Sequence, residues 1–449
     1  MSIFRRCATA VLLLGSCGAC ADPALPPVVL TAARLADLIA EARTNHPALR
    51  AAAARERAAS QAVDAVRTWG DPTFRFGGFV AGDPGPDLEE EGDLQYGVEQ
   101  PLPLFGKAAA ERRAAAAART LAGADAGLRD VYLRRDVAQA AYRLALAEET
   151  LAVGEQDLVL LDRMVASVRE RQAAGLNAEL DFLRLENERQ RRAQQQVTDR
   201  LGRDFERATL NRQLARPPTN APPAFALPPV APEIPLTGQL YEMVRRFEPR
   251  LQVLREQAGL AAAEAERTRR NRRPDVILGV DGRQWTGSGA FREGYFGVSL
   301  NLPWFNGRAY RAELERDLAL AGAAEDETAD YRLEVDRELF RVWSRIDASR
   351  REALLYRDSI IPRSARAVES ALATWAAGRG GFLDVLDARR MLTEARLMLA
   401  RAIAEQHAMI AELITCCGVG EEELYDMLAA VPGDPPPSPV TETPPTTTP

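Results

Sequence analysis

At 449 residues, with 57 basic side chains against 64 acidic ones and a formal charge of −7, the chain lacks the positive excess a nucleic-acid surface needs. Aromatic residues are only 6% of the total while alanine and arginine abound, a bias expected where most of the chain lies in long helices with small contact residues. The two histidines, His46 and His407, have no partner at ligand spacing, and no nucleophile stands beside a base, so neither a metal centre, a cofactor nor an enzyme is expected.

Residues 1–21 read as an export signal. Arg5 and Arg6 precede an apolar run from Ala8 to Leu14, and Ala19-Cys20-Ala21 fits cleavage before Asp22. Leu14-Gly15-Ser16-Cys17 fits the alternative, a lipoprotein signal cut before Cys17, which would then be acylated. Both take the mature chain out of the cytoplasm and remove two positive charges, leaving about −9.

A first unit, residues 31–215, follows. Its opening helix is expected over 32–69, and strands over 73–81 and 94–102 flank a loop rich in Gly, Pro, Asp and Glu. In LQYGVEQPLPLFGK, Leu94, Tyr96, Val98 and Leu102 alternate with Gln95, Gly97 and Glu99, the period of a strand. Pro101 and Pro103 then end the ladder, and a helix over 106–173 would measure roughly 100 Å at 1.5 Å per residue. Gly175 interrupts it before a return helix over 179–215.

Residues 216–238 hold eight prolines and are expected to form an extended surface connection. A second unit, 239–428, then repeats the first. Pro249 answers Pro47, Pro274 answers Pro72, YFGVSLNLPWFNGR answers the first strand-to-helix switch, and AAGRGGFLDVL answers AAGLNAELDFL. Strands are expected over 275–285 and 294–302, and helices over 308–377, broken at Pro362, and 382–414. Cys416 and Cys417 read as two small buried hydrophobes, and residues 432–449, rich in Pro and Thr, as a disordered tail.

All four strands are apolar on one side and polar on the other, at about the nine to eleven residues a tilted strand needs to cross a bilayer. Four strands cannot close a barrel, and an open edge in lipid leaves backbone groups unpaired at several kcal/mol each. The chain must oligomerise. Two copies give eight strands, three give twelve, and the polar inner faces favour three.

The switches PLPLFGK and LPWFNGR, the NHP and FEP openings, and the tips AAGLNAELDFL and AAGRGGFLDVLDARR resemble those of the TolC-type outer-membrane efflux proteins, with PLPLFGK most similar to members serving heavy-metal pumps. The resemblance implies a mainly α fold with a β-barrel part. A homotrimer would complete a twelve-stranded outer-membrane barrel above a periplasmic helical tube. The implied partners are outer-membrane lipid, a periplasmic membrane-fusion adaptor and an inner-membrane pump of the resistance-nodulation-division type. It also implies adaptor contact at Gly175, Leu176, Gly378 and Arg379, and an aperture at Asp181, Trp375, Asp384 and Asp387. Trp375 stands where the family has a gating tyrosine, and Gly380 stands where it has a basic latch. The rival expectation is a periplasmic adaptor or coiled-coil scaffold without a pore.

Overall fold

The computed structural model describes residues 27–79, 93–173, 179–286 and 288–418. The signal with Cys17, the first-tip residues Gly175 and Leu176, most of the acidic loop and the tail lie outside the described residues. In chain order the elements are β1 (Val28–Val29), α1 (Ala32–Asn45), α2 (Pro47–Asp64), β2 (Thr73–Phe79), β3 (Asp93–Leu102), α3 (Lys107–Ala173) and α4 (Glu179–Gln213). There follow β4 (Phe225–Ala226), α5 (Gly238–Phe247), α6 (Pro249–Asn271), β5 (Val276–Trp285), β6 (Phe291–Leu300), α7 (Gly307–Leu355), α8 (Ile361–Ala376) and α9 (Phe382–Cys417).

The opening helix of each unit is two helices rather than one. Pro47 and Pro249 have no N–H to give, and each occupies the first turn of a new helix, where none is needed. The residue before each proline caps that helix. His46 Nδ1 accepts from the Ala48 amide at 3.2 Å, and the Glu248 carboxylate accepts from the Leu251 amide at 2.5 Å. The long helix is divided at Pro362 into two segments, as expected, but without leaving the helical course. A π-helical turn, Tyr356–Ile360, carries α7 into α8, and Pro362 falls in the first turn of α8.

The two strand-to-helix switches differ although their sequences correspond. After β3, Phe105 and Gly106 both adopt left-handed backbone, with φ of 59° and 73°. After β6, a single 3-10 turn, Pro303–Asn306, makes the same corner.

The proline-rich connection also departs from expectation. It does not stay on the surface: β4 pairs in parallel with β1, and Phe225, Ala231 and Ile234 are buried. Its backbone polar groups are met by side chains from α9. The buried Gln406 amide accepts from Ala231 N at 3.0 Å and donates to Ala231 O at 3.1 Å, while His407 Nε2 lies 2.9 Å from Pro229 O. The alanines of α3, among them Ala138, Ala140, Ala141 and Ala145, pack in the same cluster as Phe225 because their small side chains let backbones approach closely. Cys416 and Cys417 end α9 as free thiols, and burial pushes Cys417 up to about 12, so it is not ionised at neutral pH.

His407 is buried against Tyr142, ring centroids 5.3 Å apart, and that burial lowers its pKa. The folded chain therefore holds fewer protons than the unfolded chain below about pH 6.5, so this contribution is complete above that pH and is lost as pH falls through the folded value. The thermal midpoint should drop between pH 7 and 5, and His407→Gln, which can still donate to Pro229 O, should flatten that slope. Parallel slopes would exclude His407 as the titrating group.

Candidate functional site: an open sheet and a helical tip

The strands form one antiparallel sheet in the order β2-β3-β5-β6, with β2 and β6 at its edges. The register sorts side chains cleanly by face. Phe74, Val98, Val280 and Phe296 form one row across the sheet, and all four are exposed, Phe296 at 71%. The adjacent row, Arg75, Gly97, Asp281 and Tyr295, lies on the other face. Arg75 reaches over Gly97 to Asp281 at 3.0 Å and to Glu99 at 3.0 Å. Gly97 is what permits this, because a Cβ there would stand 2.0 Å from Asp281 Oδ1. On the apolar face the Tyr96 ring covers Gly282 in the same manner, 2.9 Å from where a Cβ would be. An ion-paired wet face backing a continuous exposed apolar face fits a wall between lipid and an aqueous lumen.

Aromatic residues lie near both ends of the strands. Trp69, Phe105 and Phe305 are exposed beside the helix-linked ends, and Arg292 stacks over Trp285 at the far end, 4.3 Å from the ring centroid.

At the opposite pole, α8 and α9 are joined by a tight turn. Gly378 is left-handed at φ 72°, its amide donating to Trp375 O at 2.9 Å and that of Arg379 to Thr374 O at 3.1 Å, which satisfies carbonyls at the end of α8. Gly378 and Arg379 are exposed. Gly380 has no room for a side chain beyond modest adjustment, since a Cβ would lie 3.1 Å from Thr374 Cγ2. Asp384 caps α9, accepting from the Gly381 amide at 3.3 Å, and remains exposed. Asp387 projects outward, 3.9 Å from Arg390, and Asp181 sits half-buried in the first turn of α4.

Trp375 is placed differently from these acids. It is 7% exposed, packed on Phe382 at 5.6 Å between centroids and covered by the Arg171 guanidinium at 4.5 Å. In the single chain it is an anchor between helices rather than an exposed group. Arg171, from the last turn of α3, also donates to Trp375 O at 3.1 Å and Ala376 O at 3.2 Å, so one hairpin caps a helix of the other. Nothing in the spacing of Arg171 announces that role.

Above the tip lies a buried ion network. Arg389 of α9 donates to both Asp157 oxygens of α3 at 2.6 Å and to Glu188 of α4 at 2.7 Å, while Thr393 donates to Asp157 at 3.1 Å. Arg390 donates to the other Glu188 oxygen at 2.9 Å, and that bond, aided by Arg389, holds the Glu188 carboxyl below the usual carboxylate range. Three helices from both repeats are thereby tied at one level.

Among the described residues no group of three His, Cys, Asp or Glu could hold a metal ion, and no helix is long and apolar enough to cross a membrane. A two-sided sheet continuous with a helical body defines the protomer of a channel whose strands cross the membrane and whose helices project from it. The chain belongs to the outer membrane efflux protein family, which it matches over residues 38–216 and 240–419. It is similar to the cobalt-zinc-cadmium resistance protein CzcC of Cupriavidus metallidurans, 29% identical over 322 residues that cover 66% of this chain and 70% of that one. Its fold is that of the outer-membrane channel OprN, with a TM-score of 0.75 and 21% identity over 86% of this chain and 89% of the other. The outer membrane protein VceC of Vibrio cholerae gives 0.73 and 18% over 86% and 97%. The protein is therefore an outer-membrane efflux channel component with its helical part in the periplasm. The rival expectation of a poreless adaptor or scaffold falls with that membership.

Proposed function

We propose that three copies close a twelve-stranded barrel and a helical tube, forming a passive conduit that carries heavy-metal cations from a periplasmic adaptor and a resistance-nodulation-division pump to the exterior. The observation that carries this reading is the sheet with two unpartnered edges and an exposed apolar face. Because each chain contributes an even number of alternating strands, β6 of one copy meets β2 of the next antiparallel, and every edge is paired on closure. A stripe on α4, Leu183, Val197, Leu201 and Phe205, is exposed in one chain and supports this reading as a surface a neighbouring copy would cover.

The cargo follows from similarity to CzcC and from the acidic tip. Asp384 and Asp387, with Asp181, would form rings of like charge at the aperture in a trimer, attracting cations. Trp375 enters as the packing anchor behind those rings, and Gly175, Leu176, Gly378 and Arg379 as the adaptor contacts.

The decisive experiment is planar-bilayer conductance of the purified trimer. Asp384→Ala with Asp387→Ala should lower cation selectivity and change the current; unchanged values would remove the acids from the mechanism. A non-trimeric species in outer-membrane fractions would overturn the barrel, and unaltered cobalt, zinc and cadmium tolerance on deleting the gene would overturn the cargo.

A further inference from the structure

Between α4 and α9, beside the ion network, lies an open groove of about 450 Å³ whose lining holds five arginines but only three carboxylates. Two of those carboxylates, Asp157 and Glu188, are already engaged by Arg389 and Arg390. The groove is left with unmatched positive charge. Arg191 and Arg401, one from each wall, are exposed and have no carboxylate within 4.0 Å among the described residues. At the back, Arg192 is mostly buried and ion-paired, 3.5 Å from Asp157 and 4.0 Å from Asp199, while its Nε and Nη2 make no hydrogen bond. Arg389, 3% exposed, likewise has an unpartnered Nε. The position of Arg192 is built into the fold: Gly154 of α3 leaves the space it fills, since a Cβ there would stand 1.9 Å from Nη2.

We infer that this groove binds a small dianionic oxyanion, inorganic phosphate or a phosphate monoester. Planar guanidinium forks on two walls match the tetrahedral oxygens of such a group, and its two negative charges meet the two arginines, Arg191 and Arg401, that no carboxylate pairs. A lipid headgroup is the wrong source. Asp157 lies fifty residues along the continuous helix α3 from Lys107, about 75 Å from the sheet at 1.5 Å per residue. A bound oxyanion would join α4 to α9 and so brace the two hairpins. The inference is independent of the cargo and of the adaptor.

The test is thermal unfolding of the full-length protein in phosphate-free detergent, titrated with inorganic phosphate at ionic strength held constant by chloride. A saturable rise in midpoint is expected, abolished in Arg191→Gln with Arg401→Gln and retained at reduced affinity in the double lysine variant. Both variants change exposed residues, and equilibrium dialysis of radiolabelled phosphate against the wild type gives a readout that needs neither. An equal response to chloride alone, a response surviving in the glutamine variant, or no retained label would overturn the site. Stabilisation by nanodiscs carrying phosphatidic acid, with none from free phosphate, would assign the effect to lipid and overturn it as well.

Discussion

Replacing Arg389 by methionine is expected to loosen the helical end of the protein by about 3–5 kcal/mol, the cost of removing one partner from a buried ion pair. Asp157, whose side chain is 4% exposed, would be left with Thr393 at 3.1 Å and Arg192 at 3.5 Å, the latter without a proper hydrogen bond. Glu188 would keep only Arg390. Amide hydrogen exchange reads this locally, where a whole-protein unfolding midpoint would average it away. Protection over 385–400 should fall by a factor of roughly one hundred to several thousand, since each 1.4 kcal/mol is tenfold. Adding Asp157→Leu should restore most of it, because two apolar groups of similar volume leave no stranded charge. Full protection in Arg389→Met alone would show that the network contributes little to holding α3, α4 and α9 together.

The second large effect belongs to the sheet. Phe296→Arg places a charge in the middle of the exposed apolar row, where the cost at a bilayer midplane is about 2–4 kcal/mol. Tyr295→Arg, one residue away on the ion-paired face beside Asp281, should be tolerated. The expected outcome is loss of heat-modifiable trimer from outer-membrane fractions for the first variant and wild-type levels for the second. Equal tolerance would mean that the two faces are not divided between lipid and water. The comparison is demanding because the two side chains differ only in which way the pleat turns them.

These two predictions draw on different parts of what the sequence reveals. The alternation of Phe296 and Tyr295 is visible in the chain because a strand's period is local, and so are the glycine at the tip and the duplicated prolines. The opening helices are less legible: a single helix is expected over 32–69, whereas Pro47 starts a second one, and only the caps at His46 and Glu248 decide. Arg389 sits two residues after Asp387 in a motif that draws attention to its acids, yet the arginine is the buried member. Its partners lie 201 and 232 residues away in sequence, a separation at which no spacing rule applies.

By itself the sequence determined the duplicated plan, the strands with one greasy and one wet side, the long alanine-rich helices and the need for further copies, because each rests on periodicity or on backbone chemistry within a few residues. Only the tertiary structure decided which charges are buried, how the proline-rich connection enters the core and which helix end Arg171 caps. Those depend on the way helices from distant parts of the chain are brought side by side, where desolvation and hydrogen bonding act across space rather than along the chain.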